Sequence, residues 1–272
     1  MEIADSFVPT AGVVGIFPLV TYFFLIVATY LFLGNFIFAL ASRTTTQPEQ
    51  VQNRFQNLSP ILTAIISAVA GLSYYFIQGY YHDMLAELVT VTNANDRQVL
   101  IRESYNAIGQ YRYMDWAVTI PLLLIQVVFT LKIQPSERRR PLVTLLVASF
   151  FMILTGYIGH QQLAFDNEIE IGPKLIWGAI SMIGYAIILL TLSRLWKQVV
   201  NQVQPDEQRT YRLMAFVMGA FGITYPIGYI LTVSNIDFNW IHIAYTIADI
   251  TTKAGLGLLV YFASTKPVEN KS

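Results

Sequence analysis

The sequence contains no cysteine, and only 12% of its 272 residues are charged. Without cysteine the chain has no disulfide framework, no thiol nucleophile and no cysteine-ligated metal site. A soluble domain carries about 25% charged residues, so the low charge argues against that class. Basic and acidic residues balance at 17 each, which leaves no surplus of the kind that indicates nucleic-acid binding. The hydrophobic fraction of 54% excludes a disordered chain and indicates an integral membrane protein.

Seven apolar stretches are long enough, or nearly so, to cross a bilayer, which takes about 20 helical residues. They cover approximately residues 12–42, 58–81, 108–132, 140–160, 174–198, 210–233 and 240–264. No proline-rich or glycine- and serine-rich linker separates them, so we predict an all-α fold, one seven-helix membrane domain over residues 1–272. The first stretch is predicted to be a helix and not a signal peptide, because its apolar run is too long.

Basic residues are concentrated in alternate connections between the predicted helices and in the C-terminal tail. They are Arg43, Arg54, Lys132, Arg138, Arg139, Arg140, Arg194, Lys197, Arg209, Arg212, Lys266 and Lys271. The other connections hold the acids Asp83, Glu87, Asp96, Glu103, Asp166, Glu168, Glu170 and Asp237, with Arg97, Arg102 and Lys174. By the positive-inside rule the N-terminus is expected outside and the C-terminus in the cytoplasm.

The last apolar stretch contains Asp249 and Lys253, one helical turn apart and therefore on the same face. A charge at mid-membrane costs about 2.5–3.5 kcal/mol, so such groups normally pair inside a bundle. Lys253 lies too deep to reach the membrane surface easily. Two interpretations stay open at this point: a structural ion pair, or an amine that forms a Schiff base with an aldehyde.

The third apolar stretch carries Arg112, Asp115, Thr119 and Gln126 along one face. Gln126 is three turns beyond Asp115, roughly 16 Å further toward the predicted cytoplasmic side. Polar contact between helices explains one such residue better than four in line. The stripe therefore predicts a polar path through the hydrocarbon.

These two segments together resemble the microbial rhodopsins, the retinal-binding seven-helix photoreceptors and ion pumps. The resemblance rests on Arg-Tyr-x-Asp-Trp-x-x-Thr-x-Pro-Leu-Leu-Leu from Arg112 and on Asp-x-x-x-Lys-x-Gly-x-Gly from Asp249, and it extends over the whole chain. It implies that Lys253 holds all-trans retinal as a protonated Schiff base. Asp115 would be the primary counterion and proton acceptor, and Asp249 the second counterion. Arg112 would organise water beside them, and Thr119 would hydrogen-bond Asp115.

The resemblance also implies a retinal pocket. Trp116 would lie against the polyene, and Tyr225 would hydrogen-bond Asp249. The other pocket residues it implies are Leu123, Met152, Gly156, Ser181, Pro226 and Tyr229. The three histidines, His82, His160 and His242, are predicted to lie at the membrane interface and not to serve as proton-relay partners or metal ligands. No metal site is expected.

Several positions depart from the family's usual residues. Gln126 stands where outward proton pumps carry a carboxylic acid that reprotonates the Schiff base, and an amide cannot release a proton at ordinary pH. Gly222 and Gly178 occupy frequent tryptophan positions, which indicates loose packing or close helix contact. At Gly178 a second interpretation is a side opening, which in some relatives admits a carotenoid antenna. The glutamates that release protons in some relatives have no clear match; Ile241 and Ser234 fall near those positions.

The function favoured by the resemblance is a light-driven outward proton pump in the plasma membrane of a prokaryote, and not an enzyme in the turnover sense. Asp115 argues against a chloride pump and Asp249 against an inward proton pump. Only Gln126 matches the triplet of sodium pumps. A sensory photoreceptor with a slow photocycle stays open because a proton donor is missing, and an unrelated seven-helix receptor or transporter is a third class. The expected partners are lipid, protons and other copies of the chain, since the family often forms trimers or pentamers.

Overall fold

The computed structural model describes residues 9–44, 58–131, 133–200 and 205–265. Within these ranges seven helices are long and apolar enough to cross a membrane, so the predicted all-α, seven-helix fold is confirmed. They are α1 (Ile16–Thr44), α2 (Leu58–Leu88), α3 (Ala94–Thr130), α4 (Pro135–His160), α5 (Ile171–Val199), α6 (Pro205–Gly222 and Thr224–Leu231) and α7 (Phe238–Asp249, Ile250–Gly255 and Leu256–Thr265). Arg54, Lys132, Lys266 and Lys271 lie outside the described residues, as does the side chain of Arg43.

The connection between α2 and α3 is much shorter than predicted. We expected a loop from about residue 82 to 107, but only residues 89–93 separate the two helices. Asn93 begins α3 as its N-cap, because its side-chain oxygen accepts a hydrogen bond of 2.9 Å from the backbone N–H of Asn95. The 37 residues of α3 extend about 55 Å, whereas the hydrocarbon core is about 30 Å thick. The charged first turns of α3 therefore continue the helix beyond the membrane core.

The sixth helix is interrupted at Ile223, between its two segments. Pro226 has no backbone N–H, so the carbonyl of Gly222, four residues earlier, has no helical donor. Gly222 and Pro226, on either side of the break, both line the apolar cavity next to Lys253.

The seventh helix widens into a π-helical turn at Ile250–Gly255, which contains Lys253. Such turns accommodate one extra residue in a helix and are frequent at functional sites. Asp249 is the last residue of the α-helical segment that precedes the turn. Asp249 and Lys253 were predicted to lie on a regular α-helix. In the structure Asp249 ends the α-helical segment and Lys253 lies in the π-helical turn that follows it.

Apolar side chains pack the bundle on both sides of its polar centre. One cluster joins α2, α3, α4, α5, α6 and α7 and includes Leu124, Leu145 and Met214. A second joins α1, α2 and α3 and includes Phe32 and Tyr74. Many other large apolar side chains face outward, which places them against lipid in a membrane.

Candidate functional site

Four charged side chains from α3 and α7 lie together in the centre of the bundle. Arg112, Asp115, Asp249 and Lys253 are each 2% exposed or less. Two cations and two anions balance the charge, as burial in a low-dielectric interior requires. The α3 stripe and the α7 pair thus form one cluster.

The amine of Lys253 lies between the two carboxylates. Its Nζ donates to Oδ2 of Asp115 on α3 and is 3.2 Å from Oδ1 of Asp249 on its own helix. The ring of Phe32 on α1 lies on another side, with its centroid 5.8 Å from Nζ. A cation at this nitrogen therefore has two counterions, one on each of two helices.

Asp249 is the more heavily bonded of the two carboxylates. Five groups contact it: at Oδ1, Tyr225 (2.6 Å), Trp116 (3.2 Å) and Lys253 (3.2 Å), and at Oδ2, Tyr74 (2.8 Å) and Arg112 (3.5 Å). A carboxylate offers about four lone-pair sites. The acceptor capacity of Asp249 is therefore filled.

Among the described residues, Asp115 has a single side-chain partner, Lys253, at Oδ2. Its Oδ1 is buried and has no hydrogen-bond partner among the described residues. Thr119 hydrogen-bonds Asp115 as expected, but at the backbone: the Thr119 hydroxyl donates to the carbonyl oxygen of Asp115 at 2.9 Å and not to the carboxylate. Threonine hydroxyls in helices commonly bond the carbonyl four residues earlier. Asp115 therefore retains unused acceptor sites.

Arg112 belongs to the Asp249 side of the cluster. Its guanidinium donates to the Tyr74 hydroxyl at 2.9 Å and to Oγ1 of Thr246 at 3.4 Å. The rings of Tyr74 and Tyr245 lie within 5.3 and 5.6 Å of its central carbon. None of these three partners was predicted. Thr246 does carry a spacing signal, because it lies three residues before Asp249 and therefore on the same helix face.

An apolar cavity of about 490 Å³ extends from Lys253 between α3, α4, α5, α6 and α7. Its volume lies within the roughly 300–1,000 Å³ of small-molecule sites. Nine predicted pocket residues line it: Trp116, Leu123, Met152, Gly156, Ser181, Tyr225, Pro226, Tyr229 and Lys253. Lys253 is the only charged residue among the described residues of this wall. An apolar aldehyde fits the site, because the cavity offers it apolar walls and one amine.

The two unusual glycines, Gly178 and Gly222, both line this cavity. A Cβ on Gly178 would lie 2.5 Å from the ring of Tyr229, so the glycine allows α5 and α6 to approach closely. The Tyr229 ring fills the space where a side opening was considered. At Gly222 a Cβ would come within 3.3 Å of the Tyr185 hydroxyl.

Gln126 is buried at the far end of the α3 stripe, 2% exposed. Its Nε2 donates to Oγ1 of Thr63 at 2.7 Å and to Oγ of Ser59 at 3.3 Å on α2. An amide and two hydroxyls release no proton at ordinary pH. The hydrogen bonds of Gln126 to Thr63 and Ser59 therefore include no carboxylic acid that could donate a proton.

Two of the three histidines predicted to lie at the membrane interface are buried inside the protein. His160 and His242 are 3% and 4% exposed, enclosed by the rings of Tyr105, Tyr113 and Tyr81. Part of this cover comes from Tyr105, which lies before the predicted start of α3. The side chain of His82 is partly exposed, and its Nδ1 lies 3.3 Å from Oδ1 of Asp83. In the described ranges, no three histidine, aspartate or glutamate side chains are grouped to hold a metal ion.

Comparison with known proteins gives matches in both sequence and fold. Residues 18–266 match the family described as bacteriorhodopsin-like protein. A green-light absorbing proteorhodopsin of Gamma-proteobacterium EBAC31A08 is 27% identical over 170 residues, 59% of this chain and 63% of that protein. The bacteriorhodopsin-II-like protein of Haloquadratum walsbyi (strain DSM 16790 / HBSQ001) is 28% identical over 234 residues, 84% of this chain and 83% of that protein.

The fold is also that of a solved structure. Xanthorhodopsin, described as a light-driven ion pump with dual chromophore, aligns with 91% of this chain and 93% of its own at a TM-score of 0.73 and 20% identity. At that identity the likeness concerns the fold alone. The chain spans slightly less than two thirds of the length of the proteorhodopsins it matches.

Proposed function

The chain belongs to the bacteriorhodopsin-like protein family, and on that premise we propose that it is a light-driven outward proton pump with all-trans retinal on Lys253. Retinal, bound as a Schiff base, supplies light absorption and an isomerisation that weakens the hold of the Lys253 nitrogen on its proton. The observation that carries the proposal is the difference between the two carboxylates that contact this nitrogen.

Asp115 is the proton acceptor in this proposal. Its Oδ2 already contacts the Lys253 nitrogen, and its Oδ1 has no partner among the described residues. Asp249 has no vacant lone pair, because five groups contact its two oxygens. Asp249 therefore remains the fixed counterion, held by Arg112, while Asp115 takes the proton.

The direction of transport follows from the orientation that we expect from the basic loops. The proton leaves past Arg112 toward the end of the bundle where α1 begins, which we expect to be outside. A new proton enters from the cytoplasmic side near Gln126, without a carboxylic donor. We further propose the plasma membrane of a prokaryote as the location, a trimer or pentamer as the assembly, and no enzymatic turnover.

A sensory photoreceptor is the second candidate, and Gln126 is the observation that favours it. The described surroundings of this residue contain two hydroxyls and no acid, so the return of a proton to Lys253 depends on water. A slow return suits a signalling state. A pigment that cycles in light but moves no proton across the membrane would support this function.

A carotenoid antenna beside Gly178 is a separate part of the proposal. Gly178 is half-buried on the cavity wall, but the Tyr229 ring lies against it. An antenna therefore requires that ring to turn away. Mixing the pigment with a carotenoid tests this, because binding shifts the carotenoid's absorption bands; unchanged bands would reject the antenna.

Infrared difference spectroscopy of the illuminated pigment tests the acceptor directly. We expect a carbonyl band of a newly protonated carboxylic acid, which disappears in Asp115→Asn. Thr119→Val is the matched control, because the Thr119 hydroxyl bonds the backbone of Asp115 and not its carboxylate. The control keeps the band. Persistence of the band in Asp115→Asn, or its absence from the unmodified pigment, would contradict the proposal.

A further inference from the structure

A second, smaller polar space lies beyond Arg112, away from Lys253. It is a cavity of about 10 Å³ whose lining includes Arg112, His160 and His242. We call it the Arg112–histidine cavity. A space of roughly this size holds about one water molecule. The cavity lies at the end of the bundle that contains the C-terminus of α4 and the first turns of α7.

Two buried nitrogens on its walls lack hydrogen-bond partners. They are Nε of Arg112 and Nδ1 of His242, neither of which has a partner among the described residues. The Arg112 nitrogen can only donate, whereas one nitrogen of a neutral histidine accepts. A single water that accepts from Arg112 and donates to His242 satisfies both. Buried waters typically occupy such sites.

His160 is fixed on the wall of this cavity by the absence of a side chain on α3. A Cβ on Gly109 would overlap Nε2 of the imidazole, so the ring lies directly against the helix backbone. Nε2 is 3.0 Å from the carbonyl oxygen of Asn106. Because a carbonyl only accepts, Nε2 carries the hydrogen in this contact, and Nδ1 is the acceptor of the neutral ring.

The charged groups around His160 are cations. The titratable and charged residues that face it or the cavity are Tyr105, Arg112 and Tyr113 on α3, Lys174 on α5, Tyr229 on α6, and His242 and Tyr245 on α7. Lys174 is fully buried, and its Nζ has no hydrogen-bond partner among the described residues. No carboxylate from the described part of the chain lines the cavity. A proton that reaches the cavity therefore meets imidazole as its base.

We propose that the Arg112–histidine cavity is a water-bearing proton relay and that His160 is its base. The proton that leaves Asp115 past Arg112 reaches the water, and the water passes a proton on to Nδ1 of His160 and is neutral again. The ring becomes an imidazolium whose Nε2–H stays on the Asn106 carbonyl. The ring becomes neutral again when it releases a proton toward the end of α4. This inference rests on the proposed outward proton pump, for which it supplies the exit.

Flash experiments on the retinal-bound protein in lipid nanodiscs test the relay. A pH-indicating dye reports proton appearance in the medium, and the infrared band reports protonation of Asp115. His160→Gln retains an N–H for the Asn106 carbonyl but has no titrating nitrogen. We expect an unchanged absorption maximum, an unchanged Asp115 rate, and a delay between the two events that is about tenfold longer or more.

Two further variants separate the relay from a structural role. His82→Gln is the matched control, because His82 is the histidine outside this cavity, and it keeps the wild-type delay. In Gly109→Ala the added Cβ displaces the His160 ring from its position against the α3 backbone and leaves the histidine itself unchanged. We expect this variant to lengthen the delay between Asp115 protonation and proton release. A wild-type delay in His160→Gln would overturn the relay, and so would a wild-type delay in Gly109→Ala.

The outcomes also distinguish the relay from the pump itself. If the unmodified protein releases no proton to the medium, the proposed function fails. If it releases protons and His160→Gln does so with the same delay, only the relay fails.

A crystal structure of the dark state gives an independent readout, in which we expect an ordered water bound to Nε of Arg112 and Nδ1 of His242. A dry cavity would contradict the relay.

Discussion

The hydroxyl of Tyr225 donates a hydrogen bond of 2.6 Å to Oδ1 of Asp249, across the contact between α6 and α7. The Tyr225 ring also packs against the ring of Trp116, with 4.9 Å between the ring centroids. The indole N–H of Trp116 donates to the same oxygen of Asp249. Two side chains that line the apolar cavity are thus hydrogen-bonded directly to Asp249. A change at either side chain alters both the cavity and the charge balance at Lys253.

Tyr225→Phe should lower the free energy of unfolding by about 1.5–3 kcal/mol, because Asp249 loses a buried donor to a charged group. Thermal bleaching of the pigment measures the loss. Tyr185→Phe is the matched control, since Tyr185 lines the same cavity and does not bond Asp249. Equal melting temperatures for Tyr225→Phe and the unmodified protein would show that the bond does not hold α6 to α7.

Lys253→Ala should abolish the visible absorption band after addition of retinal, because it removes the only side-chain amine among the described residues that line the apolar cavity. Absorption spectra of the purified protein check this. Lys174→Met is the matched control, because Lys174 is buried like Lys253 but does not line the apolar cavity. It should keep the band. An intact imine band in Lys253→Ala would refute the retinal site.

Asp115→Asn should shift the absorption to longer wavelength and stop proton transport. A neutral amide neither stabilises the Lys253 cation nor accepts its proton. The absorption maximum and light-driven pH changes measure the two effects separately. Transport at the wild-type rate in Asp115→Asn would assign the acceptor role to another group.

Gln126→Glu should shorten the recovery of the dark state, because it places a titratable acid beside Thr63 and Ser59 where the chain has an amide. Flash photolysis gives the recovery rate. Gln126→Leu is the control for loss of the amide alone and should not accelerate recovery. Equal rates in Gln126→Glu and the unmodified protein would mean that an efficient water path already returns the proton.

The charged centre could be predicted from the sequence because helical periodicity decides which residues share a face. The spacing of Arg112 and Asp115, and of Asp249 and Lys253, placed each pair on one side of its helix. Periodicity gives no distances between helices, however. It therefore left open which carboxylate Arg112 contacts, and the structure shows that it is Asp249.

The contributions of single residues could not be predicted in this way. The contacts of Tyr74 and Thr246 with Arg112 depend on how α2 and α7 pack against α3. The burial of His160 and His242 depends on helix length outside the membrane core. Apolarity marks the depth of the membrane but not the residue at which a helix ends.

The most direct test of the central claim is the pH of an unbuffered suspension of retinal-supplied cells under illumination, with and without a protonophore. Outward pumping predicts acidification that the protonophore abolishes. Alkalinisation abolished by the protonophore would mean inward pumping, and alkalinisation enhanced by it would mean passive proton entry behind another pumped ion. Either of these, or no pH change with the pigment present, would contradict an outward proton pump.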